Sequence, residues 1–533
     1  MRKIFYRIAF VNLILFFLFS VAYSQNSDPR NTTQKFVSAL QIIDYAYVDT
    51  VNESKLVEDA IEAMLRHLDP HSIYISREDL QKANEPLEGT FEGIGISFQI
   101  YHDTILVISP VQGGPSERLG IMAGDKIVKI NGEPATGKYV NNNFVFKKLR
   151  GKKGTTVEVS IAREGRKRLL NYTIIRDKIP IHSIDASFKA NKEIGYIKLN
   201  RFSRTTMDEF HEALGGLKDS GMKDLILDLR GNSGGYLDVA IDLADEFLGF
   251  GKLVVYTKGN TSPKRKYKSS FRGEFENGKL VILMDEGSAS ASEIVAGAIQ
   301  DWDRGAIVGR RSFGKGLVQR PYYLPDSSVI RLTVARYYTP SGRCIQKSYK
   351  NGYDQYYDDL ERRLKKGELT DADKIDFPDS LKYYTENHRV VYGGGGIMPD
   401  VFVPWDSTKY SDFYVDLLSK GMFNDFVIGY VEKERKTLKS KYPEFTDFNS
   451  NFDVEQSFMN DFLTFARKKY IVPKEGEFEA SEDIIKYQLK AVLARNLYDF
   501  ESYFEVMTQI DDGYLKAIDV LENSNFFAEL KDN

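Results

Sequence analysis

Two short apolar runs, Asp224-Leu-Ile-Leu-Asp-Leu229 and Leu280-Val-Ile-Leu-Met284, each end in a turn of small residues followed by helix-compatible sequence. The first turn reads Arg230-Gly-Asn-Ser-Gly-Gly235 and the second Asp285-Glu-Gly-Ser-Ala-Ser290. Such runs are strands of the buried type, and strands that repeatedly feed helices define an α/β domain with an open, partly parallel sheet. In that architecture binding sites form beyond the carboxyl ends of the strands, where these two turns lie. The neighbouring sequence keeps the alternation, with strands expected at 194–199 and 253–256 and helices at 206–217, 236–248 and 289–302.

The chain is longer than this domain needs. Its 533 residues allow roughly three domains of ~150 residues. Residues 33–76 carry apolar positions at helical spacing (Phe36, Leu40, Ile43 and Tyr47, then Leu56, Ala60, Met64 and Leu68) and break at Asp69-Pro70, which predicts an amphipathic helical pair. From about 92 to 176 the pattern changes to short strands, with Asn131-Gly132 as a tight-turn signal, which predicts a compact β-rich module. Residues 345–392 are polar and rich in Tyr, Lys and Asp, and are read as an insertion outside the core. From about 406 onward the chain is helical and aromatic. Ile485, Leu489, Val492, Leu493 and Leu497 form a stripe there that is read as core.

The N-terminus has the form of an export signal: basic Arg2, Lys3 and Arg7, an apolar stretch over 8–22, and small residues at Ala22 and Ser24. The expectation is an exported, periplasmic protein, the alternatives being an uncleaved membrane anchor or secretion. One cysteine, Cys344, excludes an internal disulfide. A formal net charge of −3 gives no basic surface for nucleic acid. The six histidines are scattered, and no Cys/His or paired-carboxylate spacing points to a metal, so no cofactor is expected.

The chemistry concentrates in three stretches. In Gly287-Ser-Ala-Ser-Ala-Ser-Glu-Ile294 a turn opens a helix, where unpaired backbone N–H groups favour developing negative charge, the setting an acyl-transfer nucleophile needs. Ser288, Ser290 and Ser292 all qualify on chemistry, against the alternative of an ordinary helix cap. Lys315, in Ser312-Phe-Gly-Lys-Gly316, has glycines on both sides, which allow close backbone approach. A lysine held there and stripped of water would be neutral enough to deprotonate a serine. On a strand, 315, 317 and 319 share a face, so the Gln319 amide could orient the amine. The Gly-rich turn after Leu229 could supply an oxyanion donor. It lacks the Lys-Ser/Thr of a phosphate loop.

Together these strings resemble the carboxyl-terminal processing peptidase family, PDZ-containing serine proteases with a Ser/Lys dyad. The resemblance covers about residues 33–403, including Leu68-Asp-Pro-His-Ser72, Thr339-Pro-Ser-Gly-Arg343 and Gly395-Gly-Ile-Met-Pro-Asp400. It implies Ser290 as nucleophile, Lys315 as general base, Gln319 as its orienting partner, the backbone N–H groups of Gly235 and Ala291 as oxyanion donors, and Asp301 in support. The string Gly113-Gly-Pro-Ser-Glu-Arg-Leu-Gly-Ile-Met-Ala-Gly-Asp-Lys-Ile-Val-Lys-Ile-Asn-Gly132 resembles a PDZ domain, which implies peptide binding at Phe91, Gly93, Ile94, Gly95 and Ile96 by strand addition and carboxylate capture. The expected fold is an α+β / α/β multidomain chain: signal peptide 1–24, N-terminal helical region 25–85, PDZ-like β domain 86–178, α/β (crotonase/ClpP-like) protease domain 179–405 with the insertion 345–392, and a helical C-terminal extension 406–533, the insertion and the extension being departures from the family pattern. The implied partners are protein substrates with unstructured C-termini, with a homo-oligomer and an adaptor protein as further options. Rival readings are a PDZ scaffold with an inert protease domain and a non-proteolytic acyl or thioester enzyme.

Overall fold

The structure, a computed structural model, describes residues 29–532 except 272 and 524. The signal segment expected at 1–24 lies outside the described residues. Residues up to Tyr74 and residues from Ile75 onward form two compact units.

The first unit contains helices α1 (Pro29–Ala46) and α2 (Glu53–Arg66). Asn52 starts α2 by accepting a hydrogen bond from Lys55 N at 3.1 Å. The helix stops before Pro70 because Asp69 folds the chain into a turn, accepting from the N–H groups of His71 and Ser72 and from the Ser72 hydroxyl. Tyr47 and Leu68, counted in the helical stripes, therefore fall beyond the helix ends and are exposed.

The second unit opens on α3 (Arg77–Glu88), whose start is capped by Ser76 Oγ and whose end is the left-handed Gly89. A β-rich module follows, built from β1 (Thr90–Gly93), β2 (Ile96–Tyr101), β3 (Thr104–Pro110), β4 (Lys126–Ile130), α4 (Asn142–Leu149), β5 (Thr156–Ala162), β6 (Leu170–Ile175) and β7 (Asp177–Pro180). Strands β2 to β6 form one antiparallel sheet in sequence order, leaving β2 as an edge. The module enters and leaves on a strand pair, β1 against β7.

The α/β domain comprises β8 (Ile184–Lys189), β9 (Ile194–Leu199), α5 (Thr206–Asp219), β10 (Asp224–Asp228), α6 (Leu237–Asp245), β11 (Leu253–Lys258), β12 (Arg265–Lys268), β13 (Leu280–Met284), α7 (Ala291–Asp301), β14 (Ala306–Gly309), β15 (Leu317–Tyr323), β16 (Val329–Tyr338), the short helices α8 (Tyr353–Tyr357) and α9 (Asp359–Lys366), and β17 (Val401–Phe402). Its main sheet runs β8-β9-β10-β13-β14-β17, antiparallel at β8–β9 and parallel thereafter. Strands β15, β16, β11 and β12 pair antiparallel in a second sheet.

Alternating residues of the main strands feed two cores. Ile197, Leu225, Leu227, Leu280 and Ile282 pack with α5, α6 and α7. Tyr196, Ile226, Val281 and Leu283 point the other way. What covers them comes from the C-terminal region, whose helices include α10 (Met422–Lys441), α11 (Glu477–Leu497), α12 (Phe500–Thr508) and α13 (Asp512–Glu522). Tyr514, Ala517, Val520 and Leu521 of α13 close that face. The remaining helices have a core of their own, which contains the stripe Ile485, Leu489, Val492, Leu493 and Leu497.

Residues 345–392 differ from the expected external insertion. Ile345, Tyr356 and Arg363 are buried, and Arg363 Nη2 donates to Ser312 O at 2.8 Å. The polar composition misleads because buried charges in this segment are paired: Lys347 pairs with Asp359 at 3.2 Å and lies over the rings of Phe313 and Tyr356.

Candidate active site

Strand β13 runs into the turn at 285–290 and then into α7, and packing separates the three candidate serines. Ser288 and Ser292 are fully buried. The Ser288 hydroxyl donates to Leu229 O and the Ser292 hydroxyl to Asn232 O, each at 2.8 Å. Both therefore stitch this turn to the one that follows β10. Ser290 is half-buried and lines a cleft of about 1050 Å³.

The Ser290 backbone lies at φ 55, ψ −109, outside the wells that L-residues ordinarily occupy. Both of its backbone polar groups are held. Ser290 N donates to Glu293 Oε2 at 2.8 Å, and the buried Tyr337 hydroxyl lies 3.0 Å from Ser290 O and 2.8 Å from Lys315 O, within donating reach of either carbonyl. Burial pushes the Tyr337 phenol well above its ordinary range, so it stays a donor.

Glu293 joins the two motifs. Its Oε2 accepts from Ser290 N and Lys315 N, each at 2.8 Å; its Oε1 accepts from Gly314 N at 2.7 Å and the Ser312 hydroxyl at 2.5 Å. Complete burial pushes this carboxyl above its ordinary range, and the four donors pull against that shift. The spacing Ser290-x-x-Glu293 is a capping-box signal that could have flagged Glu293 in the sequence. Nothing local could have flagged Tyr337.

The glycines beside Lys315 do permit close approach: a Cβ on Gly316 would lie 2.9 Å from Gln346 N. Gln346 Oε1 in turn accepts from Gly316 N at 2.8 Å. The expected strand face is corrected, however. Lys315 precedes β15, and a register shift falls between Val318 and Gln319, so strict alternation does not relate 315 to 319. Lys315 Nζ still reaches Gln319 Oε1 at 3.4 Å, and both residues line the cleft.

The turn after β10 lies against Ser290. A Cβ on Gly234 would come within 2.9 Å of Ser290 Cβ, and one on Gly235 within 2.0 Å of Phe202 O, so only glycine fits. Asn232 shapes this turn: its Nδ2 donates to Leu199 O, and its Oδ1 accepts from Gly234 N. Gly235 and Ala291 line the cleft, and among the described residues no acceptor takes either backbone N–H. Ala291 is also the first residue of α7, where N–H groups are left over by helix geometry.

At the root of the same turn, Arg230 donates to both oxygens of Asp228 and both of Asp511. Burial pushes Asp228 up, but Arg230 and Lys198 outweigh it and hold the carboxyl far below the usual range. Asp301 lies elsewhere. It is buried, pairs with Arg343 at 2.8 Å, accepts from Ser341 N at 2.9 Å, and does not line the cleft.

In the β-rich module a smaller cavity of about 50 Å³ lies between the edge strand β2 and α4. Phe91, Ile94, Gly95 and Ile96 line it with Phe98, Val145, Phe146 and Leu149. Gly93 does not; it is paired with Asp177 in the β1–β7 ladder. The Arg150 guanidinium lies over the rings of Phe91 and Phe146 and pairs with Glu85 of α3 at 2.5 Å.

Comparison with known proteins extends this picture. Residues 193–353 match peptidase family S41, residues 93–174 a PDZ domain, residues 20–79 the N-terminal domain of the activating protease CtpB, and residues 413–499 a family of unknown function, DUF8443. The carboxy-terminal processing protease CtpB of Bacillus subtilis is 35% identical over 325 residues, 60% of this chain and 67% of that protein. The carboxy-terminal-processing protease of Bartonella bacilliformis is 34% identical over 352 residues, 65% of this chain and 80% of that protein. A solved structure of the photosystem II D1 C-terminal processing protease aligns at 27% identity over 69% of this chain and 92% of that one, with a TM-score of 0.35. An α/β domain of this order joined to a PDZ domain defines a serine-type peptidase. The chain belongs to the carboxy-terminal processing proteases of peptidase family S41.

Proposed function

We propose that this protein is an exported endopeptidase that captures the C-terminal tails of unstructured substrate proteins in its PDZ groove and cleaves them with a Ser290–Lys315 dyad. The observation that carries the reading is the sorting of the three serines. The Ser288 and Ser292 hydroxyls are tied to buried carbonyls, whereas Ser290 lines the cleft that also holds Lys315, Gln319 and the N–H groups of Gly235 and Ala291.

In this reading Ser290 Oγ attacks the scissile carbonyl carbon as its proton passes to neutral Lys315 Nζ. Gln319 steadies the amine. The tetrahedral oxyanion is stabilised by Gly235 N–H and Ala291 N–H, helped by the N-terminal end of α7. Collapse breaks the C–N bond, and Lys315 returns the proton to the leaving amine. Water, deprotonated by Lys315, then hydrolyses the acyl ester and frees Ser290. The edge strand β2 offers the ladder to which a tail could add, and Gly95, at φ 72, brings the backbone close to its carboxylate.

The test is cleavage of a denatured, C-terminally tagged protein by the wild type, Ser290→Ala and Lys315→Ala. The expected result is turnover by the wild type and loss of at least about 10³-fold in each variant, the scale for removing a nucleophile or its base. Near-wild-type turnover by Lys315→Ala would remove the dyad. Export is tested separately, by fractionating cells that produce the full chain and sequencing the N-terminus of the recovered protein.

A further inference from the structure

The electrostatics of the large cleft carry an inference about which substrates it takes. The chain as a whole is acidic, with a formal charge of −3, yet cations dominate the cleft around Ser290. Its two carboxylates, Glu88 and Asp238, are both engaged: Glu88 accepts from the Tyr236 hydroxyl at 2.9 Å, and Asp238 pairs with Arg204 at 2.7 Å.

Three arginines of the lining, Arg265, Arg320 and Arg331, have no carboxylate partner among the described residues; Arg320 follows Gln319 on β15 and so falls on the opposite strand face, which leaves Arg265 and Arg331. Arg265, on β12, lies across from Thr257 of β11, and both line the cleft. The Tyr267 ring, 4.9 Å away, backs its guanidinium and leaves the N–H edge available. Arg331, on β16, lies across from Pro321 of β15, on the strand face that carries Gln319. Its one hydrogen bond among the described residues is a long one, from Nη2 to Asn84 Oδ1 of α3 at 3.4 Å. The two arginines thus come from different strand pairs and converge on one concavity, whose apolar wall includes Leu237, Ile241 and Ile294. A concave site with low-dielectric walls and one sign of charge concentrates ligands of the opposite sign. Guanidinium is the cation that matches a carboxylate in two-point geometry.

We propose that the cleft selects substrate segments bearing carboxylates beside the bond to be cleaved, and that Arg265 and Arg331 are the residues that read them. The proposal rests on the reading of this cleft as the proteolytic site. A side-chain carboxylate of Asp or Glu and a terminal carboxylate share the same chemistry here, and the two are separable by experiment.

The experiment uses the full chain and a peptide of one sequence carrying either Glu or Gln beside the cleaved bond, each with a free and an amidated C-terminus. The quantity read is the ratio of kcat/KM for the Glu and Gln forms. The expected ratio is about fivefold at low salt, the scale of one or two partly exposed ion pairs, falling as salt screens them. It should collapse toward one in the double variant R265Q/R331Q. A Glu advantage over Gln that survives amidation assigns the carboxylate to the side chain; a preference for the free over the amidated terminus, with Glu and Gln equal, assigns it to the chain end. Equal kcat/KM for all four peptides, with all cleaved by the wild type, overturns the proposal and leaves the peptidase reading standing. A ratio unchanged in R265Q/R331Q overturns the assignment to these arginines. Failure of the wild type to cleave any of the peptides or a denatured protein contradicts the underlying reading and the proposal with it.

Discussion

Glu293 accepts four hydrogen bonds, two on each oxygen, and all four donors belong to the loops that carry Ser290 and Lys315. An acceptor-only carboxylate suits this cage, whereas a carboxamide has one acceptor oxygen and would turn an NH2 group toward two N–H or O–H donors. Glu293→Gln preserves volume but leaves buried donors facing a donor, at about 1–3 kcal/mol each. The expected outcome is a protein that still folds, with a lower Tm, and whose kcat for a denatured substrate falls by about 10²-fold as the Ser290 and Lys315 loops drift apart. Unchanged kcat would show that Tyr337 and the Gly-rich turn suffice to hold the two loops.

At the scale of elements, the turn after β10 is anchored through Arg230, which bridges Asp228 beneath it and Asp511 at the start of α13. The two acidic partners differ in consequence. Asp228 is fully buried, so Arg230→Ala leaves its carboxylate in the interior with only Lys198, at 3.5 Å, as cation and should cost about 3 kcal/mol, read from denaturant unfolding. Asp511 is partly exposed, so Asp511→Ala should cost about 1 kcal/mol or less. Equal costs would contradict the assignment of Asp228 as the buried partner. In α12, burial, with Glu501 and Asp499 nearby, pushes Glu505 up to about 7 from an ordinary value of 4.5. The folded state then binds the proton more tightly than the unfolded chain. Its contribution to stability is therefore full below about 4.5 and lost as pH rises through about 7. Thermal unfolding should show stability falling across that window, with the slope reduced in Glu505→Gln.

At the scale of the molecule, the main sheet is finished by the C-terminal region. Without α13 the face formed by Tyr196, Ile226, Val281 and Leu283 would meet water. A chain ending at residue 405 should aggregate or remain unfolded by circular dichroism and size exclusion, since one face of the sheet would be bare. A soluble, active truncation would contradict this. That dependence was not legible in the sequence: the period of 406–533 announces helices but not what they pack on, and Asp511 lies 281 residues from Arg230. By contrast, the strand at 280–284 was legible to the residue, because a continuous apolar run ending in a small-residue turn admits few other structures, and the strand at 194–199 was legible to the residue as well. The serines illustrate the limit of that legibility. Their chemistry is identical in the sequence, and only the third dimension shows two hydroxyls tied to the neighbouring turn. Composition misled at 345–392, where paired charges are buried rather than solvated.

The central claim is that Ser290, activated through Lys315, is the reactive hydroxyl. The most direct measurement is to treat the purified full-length protein with a fluorophosphonate and locate the adduct by peptide mass spectrometry. One adduct is expected, on Ser290, and it should be lost in Lys315→Ala while the variant remains folded. An adduct on Ser288 or Ser292, or undiminished labelling of Ser290 in Lys315→Ala, would contradict it.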